Sequence, residues 1–121
     1  MLTNLLCDGF VSPIVAVANE DMQAWQRLKS SWTRHTFATD NQDRPVWPTD
    51  DEAVSWSIIG AIKASYLEHE EEMALRRRLL HRIGGPVLEW ESEDLRTQLE
   101  VVNVVRVVEE EFLVEKQAKI D

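Results

Sequence analysis

"RPVWPTDDEAVSWSIIGAIKASY", residues 44–66, holds two prolines, two tryptophans, three consecutive acidic residues and one glycine. Whether it reads as helix decides the fold. Thr49 and Glu52 make a T-x-x-E capping box, in which hydroxyl and carboxylate each satisfy an amide at a helix start. Asp50, Asp51 and Glu52 would then fill the first turn, against the positive end of the helix dipole. Pro48 stands just before the cap and marks where the helix begins. Ala53, Trp56, Gly60, Ala64 and Leu67 follow at helical spacing. Gly60 costs about 1 kcal/mol relative to alanine in an exposed helix, so its presence predicts close approach by another helix or an aromatic ring. The acidic triplet reads as a helix start rather than as a metal site.

Downstream, "LEHEEEMALRRRLLHRIGG" predicts a helix from about 68 to 83. Met73, Leu75, Leu79, Leu80 and Ile83 supply its apolar stripe, and Glu72 with Arg76 makes a favourable i,i+4 pair. Cations gather toward its C-terminal end, and Gly84, Gly85 and Pro86 stop it. Residues 87–90 read as an extended linker. Thr97 and Glu100 form a second capping box, opening a valine-rich helix. Valine is a poor helix former, yet Val101, Val104, Val105, Val108, Phe112 and Glu115 trace one face and strict alternation fails. Leu99, Val102 and Leu113 widen the apolar arc, which predicts burial on two sides or a homo-oligomer contact along the face that runs from Val101 to Val114.

Upstream, Asn19 is a good N-cap, followed by Glu20 and Asp21. Met22, Trp25, Leu28 and Trp32 share a face, so a helix is expected over about 20–33. The turn Asp40-Asn41-Gln42-Asp43 is flanked by segments 35–39 and 44–47, which pair as a short hairpin or form an ordered loop. Pro45 and Pro48 confine any strand there to an edge. In residues 1–18, "MLTNLLCDGF" fits a short helical turn and "PIVAVA" an edge strand. The expectation is a single domain, 1–121, mainly α: a small bundle of about four helices with a short extended or hairpin element between helices 1 and 2.

The net charge of −9 is spread along the chain, with four basic against eight acidic residues in 1–60 and nine against fourteen in 61–121. Nucleic acid and anionic membranes reward basic patches, so neither is an expected direct partner, while a protein with a basic surface is. One cysteine, Cys7, allows no internal disulfide and favours a reducing compartment. No apolar run is long enough to span a bilayer, and no basic residue precedes Arg27 as a secretory signal would require. The expected location is the cytoplasm.

One cysteine and three scattered histidines (His35, His69, His81) make a Cys/His metal site untenable. No Gly-rich phosphate loop, G-x-S-x-G or Cys–His signature is present. No cofactor is expected. The best enzyme-like set is His35 with Asp40 and Asp43, a histidine and carboxylates that would suit general-base catalysis. Tryptophans are unusually many: Trp25 and Trp56 read as core, whereas Trp32, Trp47 and Trp90 lie at element ends, where interface hot spots recruit them. Arg76 and Arg77, in the one basic cluster, and the exposed-reading Glu109 and Glu110 complete the expected interaction residues.

The run D-x-x-D-R-P-V-W-P-T-D-D-E-A-V-S-W-S-I-I-G-A-I (residues 40–62) resembles the signature D-x-x-G-R-P-V-x-P-x-x-x-x-A-V-x-W-C-x-x-G-A of a family of uncharacterised small bacterial and phage proteins. W-E-S-E-D-L-R-T-Q-L-E-V (residues 90–101) is similar to that family's later W-N-D…R-T-x-x-E-V element, and the likeness covers about residues 25–110. Ser57 replaces the family's cysteine and Asp43 its glycine, so any chemistry of that cysteine is missing here. The resemblance implies a shared fold rather than an activity. The functional expectation is a non-enzymatic acidic interaction module. It would be a phage or mobile-element regulator or inhibitor that binds a host protein, in the sharper form by imitating nucleic acid with aligned carboxylates. The alternative is a small hydrolase using His35 with Asp40 or Asp43.

Overall fold

A computed structural model describes residues 22–120. The expectations for residues 1–18, for Cys7 and for the Asn19 cap fall outside them. In chain order the elements are α1 (Ala24–Ser30), β1 (Ala38–Thr39), β2 (Ser55–Trp56), α2 (Ile58–Ser65), α3 (His69–Ile83), α4 (Val87–Glu91) and α5 (Gln98–Ile120). The fold is mainly α, with a two-stranded antiparallel pair between the first two helices, in register Ala38↔Trp56 and Thr39↔Ser55.

Two capping boxes look alike in the sequence, and only one is used. At Thr97, the Glu100 carboxylate accepts from the Thr97 amide (3.0 Å) and the Thr97 hydroxyl accepts from the Glu100 amide (3.2 Å), and α5 begins at the next residue. At Thr49 no helix forms. Asp50 instead accepts from the Glu52 amide (2.8 Å), closing an exposed turn, and the chain runs extended through Ser55 and Trp56. Tertiary pairing outcompetes the local signal. Val54 donates to the Thr39 carbonyl (2.9 Å), Trp56 to that of Ser31 (3.2 Å), and the Trp56 indole to that of Pro48 (3.1 Å). The helix starts at Ile58 instead, with the Ser57 hydroxyl accepting from the Gly60 amide (3.1 Å).

Other boundaries also move. α1 is shorter than the 20–33 expected: Gln23 precedes it, with the Gln26 side chain accepting from the Gln23 amide (2.8 Å). After Ser30 the chain turns extended, and Trp32 bridges to Trp56. Residues 87–90 are not an extended linker but most of the short helix α4. The 40–43 turn is present, with its flanks joined by a Thr39↔Pro45 bridge and by the Asp40 amide donating to the Arg44 carbonyl (2.9 Å). The α3 stop is also present, with Gly84 left-handed at φ 84°.

α5 packs against α1 on one side and α3 on the other, as its wide apolar arc predicts. Val101, Val105 and Val108 meet Leu28, Leu75, Leu79, Ile58 and Ile62 in the core. Those three valines are therefore spent inside the fold, and Leu99 and Val114 are exposed on the same helix. Trp56 is buried and Trp25 packs partly buried against the core, whereas Leu67 is exposed. Gly60 does permit a close approach, but by backbone: a Cβ there would lie 1.8 Å from the Phe37 carbonyl oxygen.

Candidate functional site

The polar side chains divide into those spent inside the fold and those left free. Three buried carboxylates are spent on backbone amides. Glu109, fully buried on α5, accepts from the Ala24 amide (2.8 Å), the Trp25 amide (3.0 Å) and the Tyr66 hydroxyl (2.5 Å). It closes the N-terminus of α1, a helix with no acidic residue in its own first turn. Glu91, buried at the end of α4, does the same for α2: its Oε2 accepts from the Ile58 amide (2.8 Å) and the Trp32 indole (2.7 Å). Asp40 accepts from the Gln42 and Arg44 amides and from the Arg44 guanidinium, each at 2.9 Å, and locks the 40–43 turn.

These placements reassign several expected site residues. Glu109 presents no surface to a partner, whereas its neighbour Glu110 is exposed. Trp32 is half-buried, holds Glu91 and lies beneath the Arg34 guanidinium. Trp90 is half-buried under Arg96, whose guanidinium carbon sits 3.8 Å from the ring centroid. Arg76 pairs with Glu72 (3.2 Å), while Arg77 is exposed beside the groove between α3 and α4. Asp40 has both oxygens occupied and Asp43 is exposed. Neither lines the cavity that His35 lines; the carboxylate there is Glu91. Sequence reasoning missed Glu91 because its partners, Ile58 and Trp32, lie on other elements, and missed the Ser57 cap because the Thr49 box offered a rival helix start.

The loop between β1 and β2 gathers an exposed aromatic and three exposed carboxylates in one short stretch. Trp47 is 76% exposed and Val54 is 46% exposed. Asp50, Asp51 and Glu52 are exposed between them, and none joins an ion pair among the described residues. Elsewhere several carboxylates are neutralised: Glu72 by Lys63 and Arg76, Glu115 by Arg78, Glu71 by Lys116, and Glu93 and Glu100 by Arg96. Glu68, Glu70, Glu89, Asp94 and Glu110 are also exposed with no ion pair among the described residues, but singly or in pairs and with no exposed tryptophan beside them in the chain. The loop is nonetheless held at many points: by the Asp40 lock, the Trp56–Pro48 bond, and the Asp50 and Ala53 amides donating to Trp47 and Asp50 carbonyls (3.0 Å each). Its indole is thus presented from a scaffold already ordered.

Burial pushes the Glu91 and Glu109 carboxyls above the ordinary glutamate value, against the hydrogen bonds that favour their ionised forms. The other shifted carboxyls run downward. The Arg44 amide holds Asp40 low, the Thr97 amide does so for Glu100, and Arg78 for Glu115. At Glu72, burial is outweighed by Lys63 and Arg76 together. A raised folded pKa gives stability that is full below the unfolded value and lost as pH rises through the folded one; a depressed pKa gives stability lost as pH falls through the folded one. The urea midpoint should therefore rise as pH falls through the raised Glu91 and Glu109 values toward the ordinary glutamate value, and drop at lower pH as the depressed carboxyls are protonated. Lower net charge adds to the rise, so the specific reading is Glu91→Gln, in which the rise should be smaller than in the wild type. An equal rise in both would contradict the assignment.

No helix among the described residues is long and apolar enough to cross a membrane, and no group of three or more His, Cys, Asp or Glu side chains there could hold a metal ion. No family model, curated protein or solved structure matches the chain.

Proposed function

We propose that this protein is a non-enzymatic interaction module. Its β1–β2 loop docks on a basic protein surface, with Trp47 as the apolar anchor and Asp50, Asp51 and Glu52 as its charged rim. The observation that carries this reading is an indole 76% exposed on a pinned loop, beside three carboxylates with no counter-ion among the described residues. An ordered loop loses little entropy on docking. A large aromatic anchor with surrounding charge is the anatomy of an interface hot spot with electrostatic steering. The net charge of −9 favours encounter with a basic partner and disfavours direct contact with nucleic acid.

The resemblance of residues 40–62 to a family of small bacterial and phage proteins fits a cytoplasmic regulator or inhibitor of a host protein. Because Glu71, Glu72, Glu93, Glu100 and Glu115 are tied to cations, the acidic surface suits one charged contact better than a long array imitating phosphates. The hydrolase alternative has less support, since Asp40 is committed to its turn and His35 lines a different hollow.

Affinity capture from the native host with wild type and Trp47→Ala in parallel tests the proposal. A protein retained by the wild type, released by raised salt and missing with Trp47→Ala is the expected result. Identical retained sets for the two baits would contradict it.

A further inference from the structure

A second hollow, on residues other than the Trp47 loop, lies where the segment just before β1 meets α4. A cavity of about 440 Å³ is lined by His35, Phe37, Ser57, Leu88, Glu91 and Ser92, within the usual size range of small-ligand pockets. Glu91 is only 2% exposed, and both of its hydrogen bonds fall on Oε2. Oε1 accepts from no described residue and is not among the fully occluded polar atoms lacking a partner, so it keeps some accessible surface on a residue that lines the cavity. Two cations stand near without donating to Glu91: Arg34, whose charge lowers the carboxyl's pKa, lies over Trp32 and donates to the Glu93 carbonyl (3.0 Å), and Lys63 lies over the Phe37 ring at 5.8 Å while paired with Glu72 (3.0 Å).

The remaining walls define what fits. Ser57 is no free nucleophile, because its hydroxyl accepts from the Gly60 amide and faces the Phe37 carbonyl at 3.5 Å. His35, left-handed at φ 76°, stands at the rim. Phe37 and Leu88 are 39% and 58% exposed and form an apolar side.

We propose that this cavity binds the guanidinium or ammonium head of an organic cation, with the head donating to Glu91 Oε1 and the apolar stem lying against Phe37 and Leu88. A buried carboxylate oxygen left without a donor is a strong acceptor for a charge-assisted bond, and a planar guanidinium also stacks on an aromatic face. Anions are repelled, and neutral donors gain only the weaker bond. The cation is either a free small molecule or an arginine or lysine side chain of another protein.

The Trp32 indole N–H, bonded to the other oxygen of the same carboxylate, is a built-in reporter for NMR titration. N-acetyl-arginine amide should shift it saturably with a Kd on the order of 1 mM or tighter, while the neutral isostere N-acetyl-citrulline amide should not. Glu91→Gln can keep its amide oxygen toward Trp32 and Ile58 and turn an N–H₂ into the cavity. It should hold the fold, seen in unchanged melting, and bind at least about tenfold more weakly. Phe37→Ala, should Glu91→Gln fail to fold, is expected to weaken binding about threefold or more. The pentapeptide Gly-Gly-Arg-Gly-Gly tells the sources apart: much tighter binding than the amide assigns the site to a protein side chain, and equal or weaker binding to a free cation. No saturable shift, an equal response to citrulline, or undiminished binding by a folded Glu91→Gln protein would overturn the proposal.

Discussion

Gly60→Ala should destabilise the protein by about 3 kcal/mol, at the upper end of what overpacking usually costs. Propensity alone argues the opposite, since alanine is favoured over glycine in a helix interior by about 1 kcal/mol. The contact decides the sign. The added Cβ would sit 1.8 Å from the Phe37 carbonyl oxygen and 2.7 Å from its carbon, and both are backbone atoms that cannot rotate away. The same carbonyl accepts from the Ser57 amide (3.1 Å), so moving it disturbs the start of α2 as well. Thermal melting should register a loss of roughly 10–15 °C for a domain of this size. A variant as stable as the wild type would mean that the Phe37 backbone and α2 do not meet as described.

Glu109→Ala should cost about 3–5 kcal/mol, because each buried donor left unpaired costs about 1–3 kcal/mol. Three donors lose their acceptor together: the first two amides of α1 and the Tyr66 hydroxyl. Burial and the neighbouring carboxylate push the Tyr66 phenol upward, so it stays a donor across the neutral range. Glu109→Gln, which keeps one acceptor oxygen, should fall between wild type and alanine. Glu110→Ala, one residue along on the exposed side, should change stability by no more than about 0.5 kcal/mol. Urea unfolding of the three variants checks the series, and equal effects at 109 and 110 would contradict the capping role.

What the sequence revealed follows the range of the interaction involved. The α3 stop and the Thr97 box were readable because every group lies within a few residues of its partner. The identical Thr49 signal misled because strand pairing and the Trp56 indole, both non-local, hold residues 53–56 extended. α4 was missed because five residues are too few to show a helical period. Glu109 and Glu91 looked like ordinary surface acids, yet they cap helices from 85 and 33 residues away. Among the expected site residues, Trp47 and Arg77 are exposed, whereas Trp32 and Trp90 serve Glu91 and Arg96. A tryptophan at an element end carries no local mark that separates these fates.

The division between carboxylates spent inside and an aromatic, acidic loop left outside is tested most directly by calorimetric titration of the captured partner. Trp47→Ala and the triple variant Asp50→Asn, Asp51→Asn, Glu52→Gln should each raise Kd at least about tenfold while melting as the wild type does. The charge variant should also lose most of the salt dependence. Wild-type affinity in both loop variants, with binding lost instead on substituting Arg77 or Glu110, would place the working surface elsewhere and contradict the proposal.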